Sequence, residues 1–545
     1  MATYHNQQLR VALLFIFFCT CYVAIIANLF LLQIYQHSFF ADLAEKQYQM
    51  QITKIPGRAL ITDRNHKPLA CNRYALSASI CPYQIEDESP LSLFLQTYFP
   101  QAYQHYVQHK QSHFMFIQRN LTDHQKDLIT DAHIPEIQLL KEPHRYYPIS
   151  CLGSIVGITN IDNEGSLGIE YLYNDQLKGT NSYFSLQKDA RLGLFYFDKR
   201  IVEDGTDGKP VQLTIDADLQ FLVHELLAKT VTEYQAKQGS VIIMNPDNGD
   251  ILTMANYPTF NPNIIQHLEL SLTKNYCIAE QYEVGSVMKV FAALAALEEG
   301  VVTPDEQIDC RNVTTTFIDG RKVNTCTAHG MLTFTQVVAK SNNIGTALVA
   351  KRLEERLYDH YCRLGFGKKT GIGLPGEQQG FVNPPAKWSA QSVISLSYGY
   401  EVAVTLLQLA QAFAMISSDG YMVKPRIVMD NETVRSLSPL YKKETIDEIK
   451  KILQETTLQG TAYRARMRGY RVMCKTGTAN LLQNGLYIDN KNSYSCAGII
   501  EKNDYKRVIV VYIKEADRAH LYASQVAVPL FEKIAQKVII HDKIM

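Results

Sequence analysis

From Val11 to Leu32 the chain runs 22 residues without a charged side chain. At about 1.5 Å per residue, a helix over that run is roughly 33 Å long, enough to cross a hydrocarbon core of about 30 Å. Arg10 precedes it, and the first charges after it are Asp42 and Glu45. That asymmetry favours a cytoplasmic N-terminus. The run is long for the apolar part of a cleaved signal, and no convincing small-x-small cleavage site follows it. The sequence therefore reads as a cytoplasmic tail over 1–10, an uncleaved anchor over 11–33, and a remainder outside the cytoplasm.

That remainder is long enough for two or three domains. With 46% hydrophobic and 20% charged residues it reads as globular, and a net charge of +0 gives nucleic-acid binding no electrostatic support. Of eleven cysteines, Cys19 and Cys21 fall in the anchor. The others form no C-x-x-C pair and no zinc spacing, so neither a metal nor a cofactor is expected. Cys310 and Cys326 bracket a Thr-rich, hairpin-like stretch and are candidates for a bridge.

The clearest linker is Asp204-Gly-Thr-Asp-Gly-Lys-Pro210. It divides an elongated α+β segment over 40–208 from a domain over 210–545. Within the first, Leu60-Ile61 and Leu69-Ala70 flank Asp63-Arg-Asn-His-Lys-Pro68, which reads as a hairpin turn. Residues 71–150 give mixed signals. In the second, a helix pattern runs from Leu219 to about Tyr234. Gly239–Pro246 and Ile251–Ala255 read as a buried strand pair joined by Asp247-Asn-Gly-Asp250. Val508–Ile513 is another buried strand, and a last helix covers about 525–538. Strands from both ends of a domain with a helical block between them suit an α+β fold, a central antiparallel sheet covered by helices.

Three short strings carry the chemistry: Ser286-Val-Met-Lys289, Ser341-Asn342-Asn343 and Lys475-Thr476-Gly477-Thr478. S-x-x-K occurs three times, also at Ser185 and Ser271, so context must choose. Only Ser286 precedes a long apolar run, Val290 to Leu297, with Gly300 as a stop. Such a helix is buried, and Lys289 lies over the same face as Ser286. K-T-G occurs twice. Lys369 sits in a Gly-punctuated turn, whereas Lys475 follows the strand-like Tyr470-Arg-Val-Met-Cys474.

In order, the three strings resemble the signatures of the penicillin-binding protein and serine β-lactamase superfamily. Lys54-Ile-Pro-Gly-Arg58 through Ala70 is similar to the start of class B penicillin-binding proteins, although Ala59 and His66 replace two glycines of that pattern. Gly165–Glu170 with Leu177-Lys-Gly179, Gly371–Glu377, Tyr398–Gln408 and Gly460–Tyr463 resemble further family segments. The tail Ala523–Phe531 is similar to that of the division-specific (FtsI-type) branch. The resemblance implies a transmembrane anchor, a pedestal like the penicillin-binding protein dimerisation domain, and a transpeptidase domain.

It also implies roles. Ser286 is the nucleophile and Lys289 its general base, which acts only when neutral although a free lysine titrates near ~10.4. Burial and a second cation, Lys475, would lower that value. Ser341 shuttles the proton to the leaving amine. Asn343 holds the substrate amide, while Lys475, Thr476 and Thr478 bind the donor carboxylate and Gly477 leaves room along the strand edge. Backbone N–H groups of Ser286 and Thr478 form the oxyanion hole.

The implied reaction is D,D-transpeptidation of peptidoglycan stem peptides derived from lipid II, in septal wall synthesis, with β-lactams as covalent inhibitors. The implied partners are a membrane-embedded FtsW-type polymerase and other divisome proteins. The alternatives are an elongation-type transpeptidase, a D,D-carboxypeptidase or β-lactamase, and a non-catalytic divisome scaffold. Val284 and Met288 depart from the family's nucleophile motif. Cys474 stands where glycine is usual, and reads as a small buried hydrophobe. Glu377, in a Leu-Pro-Gly-Glu turn, reads as structural rather than as a hydrolytic base.

Overall fold

Side chains of a strand alternate between faces, so a strand buried on both sides feeds two cores at once. Val241 and Ile243 pack into one core while Ile242 and Met244 pack into the other. Val508, Val510 and Tyr512 likewise alternate with Ile509, Val511 and Ile513. The computed structural model describes residues 2–544 apart from 55, 86, 189–194, 267, 430, 431, 433, 484, 485 and 517–521. Met1 of the expected tail and Ile55 of the Lys54–Ala70 motif thus lie outside the described residues.

The central sheet has five antiparallel strands in the order Ile251–Tyr257, Gln238–Met244, Tyr505–Lys514, Leu486–Lys502 and Arg471–Gln483. Helices Ala217–Glu233 and Ala523–His541 cover one face. Helices Lys289–Glu298, Leu406–Ser417 and Lys443–Leu458 cover the other. This is the α+β architecture expected from the sequence. The last strand, Arg471–Gln483, carries Lys475–Thr478 and leaves one edge unpaired with any strand.

The chain divides into two units. The first comprises 1–57 and 178–208: helices Ala2–Phe30 and His37–Tyr48, and an antiparallel sheet in which Ser182–Lys188 lies between Gln49–Lys54 and Phe195–Glu203. Its helical stretch Gln7–Tyr35 has a mean hydropathy of 2.4 and no buried residues, which fits a single-pass membrane protein. The second unit comprises 58–177 and 209–545 and holds the central sheet.

That second unit also holds the hairpin expected near Asp63. Ile61 pairs with Ala70, and the parallel neighbour Val211–Gln212 extends the sheet. The Asp63 carboxylate accepts from the backbone N–H groups of Asn65, Lys67 and Ala217, tying the turn to the start of helix Ala217–Glu233. Residues 71–150 form strand Pro68–Ile80, flanked by Met115–Gln118 and Gln138–Tyr146, with helices Glu88–Tyr98, Pro100–Gln108 and Asp123–Ala132. Arg58 and Arg145 each donate to one oxygen of Glu170, at 2.6 Å, and Glu170 has no exposed surface.

Removing that carboxylate leaves two buried guanidiniums unpaired, a change worth about 3–5 kcal/mol in comparable sites. Glu170→Gln is expected to lower the unfolding free energy by about that much. Chemical denaturation followed by circular dichroism checks it, and a loss under about 1 kcal/mol would contradict the role given to Glu170.

Candidate active site

Ser286 does not open the α-helix as the sequence suggested. It lies on a 3-10 turn, Gly285–Met288, and the α-helix begins at Lys289. In a 3-10 turn, side chains three apart eclipse, so Ser286 and Lys289 still share a side. The helix ends at Glu298, and Gly300 follows with φ of 65°.

Lys289 is fully buried and turns its amine toward the second string. Its Nζ donates to the Ser341 carbonyl at 2.6 Å and lies 3.1 Å from Ser341 Oγ. Lys475, also fully buried, brings its Nζ to 3.0 Å from the same Oγ and donates to the Thr476 carbonyl at 3.0 Å. Ser341 itself is held at a positive φ of 58°, just before helix Asn343–Ala350. Asn342 caps that helix by accepting from Gly345 N. One hydroxyl therefore bridges two buried amines.

Their electrostatics follow from burial. Desolvation penalises the ammonium form of Lys289, and the Lys475 ammonium repels it further, so its pKa falls well below the usual lysine value. Lys475 is pushed down to about 7, again chiefly by burial, against the opposing influence of the nearby Cys474, Cys496 and Cys326 thiols. Of the two, Lys289 is disfavoured as the ammonium by both burial and its neighbour's charge, whereas Lys475 keeps its proton up to about 7.

The other expected residues lie on the same two elements. Asn343 Nδ2 donates to the Asn324 carbonyl at 2.5 Å. Thr476 Oγ1 lies 2.7 Å from Thr461 Oγ1, and Thr478 Oγ1 accepts from Ala523 N at 3.1 Å. Gly477 also has a packing reason. A Cβ there would meet the Val284 carbonyl at 2.1 Å, Ser495 Oγ at 2.5 Å and Val287 Cγ2 at 2.9 Å. The missing side chain makes room for the nucleophile turn against the strand, with the open edge a separate matter.

Thr461, Ser495 and Gly399 were given no role by sequence reasoning, yet a Cβ on Gly399 would come 2.1 Å from the Gly285 carbonyl of the Ser286 turn. Ser495 Oγ donates to the Val284 and Gly477 carbonyls at 3.3 Å, joining the nucleophile turn to the strand. Gly460–Tyr463 and Tyr398–Gln408 stood out as family-like segments, and that was the only signal for Thr461 and Gly399. Glu377 accepts from both Thr370 N and Thr370 Oγ1, which pins the second K-T-G copy as a loop. Cys474 and Cys496 are buried, and a Cβ on Gly498 would come 2.3 Å from Cys474 Cβ. The glycine opposite thus makes space for Cys474. No disulfide forms among the cysteines: all eleven are free, with Cys310 buried and Cys326 exposed, so the suggested bridge is absent.

Gly477→Ala is expected to push the nucleophile turn off the strand and slow acylation of Ser286 on the order of 100-fold, since misplacement by about 1 Å has that effect. Stopped-flow acylation beside a melting curve checks it. A folded variant acylated at nearly the wild-type rate would show that the turn does not need this contact.

Residues 239–536 match the penicillin binding protein transpeptidase domain, and residues 53–213 match the penicillin-binding protein dimerisation domain. The probable peptidoglycan D,D-transpeptidase PbpC of Pseudomonas aeruginosa is 29% identical over 538 residues, covering 97% of this chain and 94% of that protein. Peptidoglycan D,D-transpeptidase FtsI of Escherichia coli K12 is 28% identical, covering 90% of this chain and 86% of its own. The crystal structure of penicillin binding protein 3 from Mycobacterium tuberculosis, complexed with aztreonam, has a TM-score of 0.67 at 25% identity, covering 90% of this chain and 97% of that one. On the family matches, the site geometry and these relatives together, the chain belongs to the penicillin-binding protein transpeptidases.

Proposed function

We propose that this protein is the peptidoglycan D,D-transpeptidase of septal wall synthesis, working through a Ser286 acyl-enzyme. The observation that carries the reading is the Ser341 hydroxyl between the Lys289 and Lys475 amines. Neutral Lys289 takes the Ser286 proton as Oγ attacks the carbonyl between the two terminal D-alanines of a donor stem. Ser341 relays that proton to the departing amine, and D-alanine leaves. An amine from a neighbouring stem then attacks the ester, returns its proton through the same relay, and frees Ser286. Charged Lys475, with Thr476 and Thr478 beside it, receives the donor carboxylate, and Asn343 holds the donor amide. A β-lactam presents the same carboxylate and a strained amide, so it acylates Ser286 in place of the donor.

On this reading, 11–33 anchors the chain in the cytoplasmic membrane with 1–10 inside. A pedestal over 40–208 and a transpeptidase domain over 210–545 then lie outside the cytoplasm. The FtsI-named relatives support the peptidoglycan D,D-transpeptidase activity, and this reading adds a divisome setting with an FtsW-type polymerase as partner.

The test incubates the full-length protein in detergent with fluorescent penicillin, beside Ser286→Ala, and follows the adduct by intact mass. The expected result is one long-lived penicillin adduct in the wild type and none in the variant. An adduct that turns over within seconds would indicate a β-lactamase. A folded wild type that takes up no penicillin would leave only a scaffold role.

A further inference from the structure

The Asp63-Arg64-Asn65 turn, the start of strand Tyr505–Lys514 and the end of helix Ala523–His541 meet at a cavity of about 450 Å³ that shares no residue with the catalytic set. Five separate stretches of chain line it: Arg64 and Asn65, Asp216 and Leu219, Leu252, Tyr505 and Arg507, and 541–544. All belong to the second unit.

Its acids are fully engaged. Asp216 Oδ1 accepts from Leu219 N at 3.0 Å and pairs with His541 Nε2 at 3.2 Å, and its Oδ2 accepts from Asn65 Nδ2 at 3.1 Å. Asp542 Oδ1 faces His541 Nδ1 at 3.1 Å, and its Oδ2 receives both Tyr505 OH and Arg507 Nη2 at 2.8 Å. All four carboxylate oxygens are taken. The donors are not exhausted. Arg507 Nε is buried with no acceptor. The Arg64 guanidinium and the Lys543 ammonium, both lining the cavity, have no side-chain partner among the described residues.

Arg507 Nε has no accessible surface, so the groups left to meet a ligand are the Arg64 guanidinium and the Lys543 ammonium, for which an acceptor can be supplied from outside. Guanidinium forks match the planar or tetrahedral oxygens of carboxylates and phosphates, and the volume is that of a small-molecule site. The N-terminus of helix Ala217–Glu233, capped at Asp216, adds to the positive field.

We propose that this cavity is a second, non-catalytic binding site for an oxyanion, a carboxylate or phosphate group on a small ligand, held by Arg64 and Lys543, with the charge of Arg507 behind them. It gives the Arg64-Asn65 turn a task that the catalytic reading leaves unassigned. A ligand seated there would tie the Asp63 hairpin to strand Tyr505–Lys514 and the last helix.

The test uses the full-length protein in detergent with Ser286 already acylated by benzylpenicillin, so that the catalytic carboxylate site is filled. Inorganic pyrophosphate and, separately, citrate are titrated by calorimetry at constant ionic strength. The comparison is with an Arg64→Gln, Lys543→Gln double variant, which removes no side-chain hydrogen bond or ion pair among the described residues and should melt like the wild type. Saturable binding that weakens at least tenfold in the variant supports the site, and the tighter of the two anions identifies the ligand's chemistry. Equal affinity in wild type and variant, or no saturable binding of either anion, overturns it.

Discussion

Two ammonium groups cannot both stay charged when they are buried within hydrogen-bond reach of one hydroxyl. Lys289 and Lys475 are in that position around Ser341 Oγ, each without exposed surface. Burial and the charge of Lys475 both disfavour the Lys289 ammonium. On the proposed reading the neutral amine is the base and the Lys475 cation receives a carboxylate, a division of labour that follows from the cost of burying charge.

The fold supplies the burial. Helix Lys289–Glu298 is enclosed along almost its whole length, so its one lysine is desolvated by apolar neighbours. The strand carrying Lys475 is the last of a sheet with a core on each face, and its neighbour Leu486–Lys502 fixes its register over most of its length. The nucleophile turn then has to approach this strand closely. Gly477 permits that approach, and Ser495 secures it by bonding to carbonyls on both sides. Ser341 reaches the two amines because its own backbone is turned into the left-handed region before a capped helix.

Much of this was legible in the chain itself. The buried strands at 239–246, 251–255 and 508–513 announce themselves by continuous apolar runs, and the hairpin at Asp63 by its turn residues. The three strings separated from their decoys on local context, because no long apolar run follows Ser271 and Lys369 sits in a Gly-punctuated turn. What escaped was geometry that depends on neighbours distant in sequence. The 3-10 start at Gly285 is imposed by packing on the strand, and no propensity signals it. The use of Gly477 depends on Val284, nearly two hundred residues earlier. Thr461 matters only because Thr476 faces it. Residues 71–150 resisted reading because strand Gln138–Tyr146 is mostly exposed or half-exposed, which erases the apolar alternation that would have marked it.

The claim that Lys289 works as a neutral base beside a cationic Lys475 is tested most directly by the pH profile of the second-order rate constant for acylation of Ser286 by benzylpenicillin. That constant reports the free enzyme's titrations. Below its depressed pKa Lys289 holds a proton and cannot accept another, so the rate falls on the acid side. Above about 7 Lys475 loses the charge that draws the penicillin carboxylate, so the rate falls again. The account predicts a bell whose alkaline limb lies near neutrality and is removed in Lys475→Arg, a cation that keeps its proton. A rate that climbs steadily toward about pH 10, as a lysine of ordinary pKa would give, would contradict it.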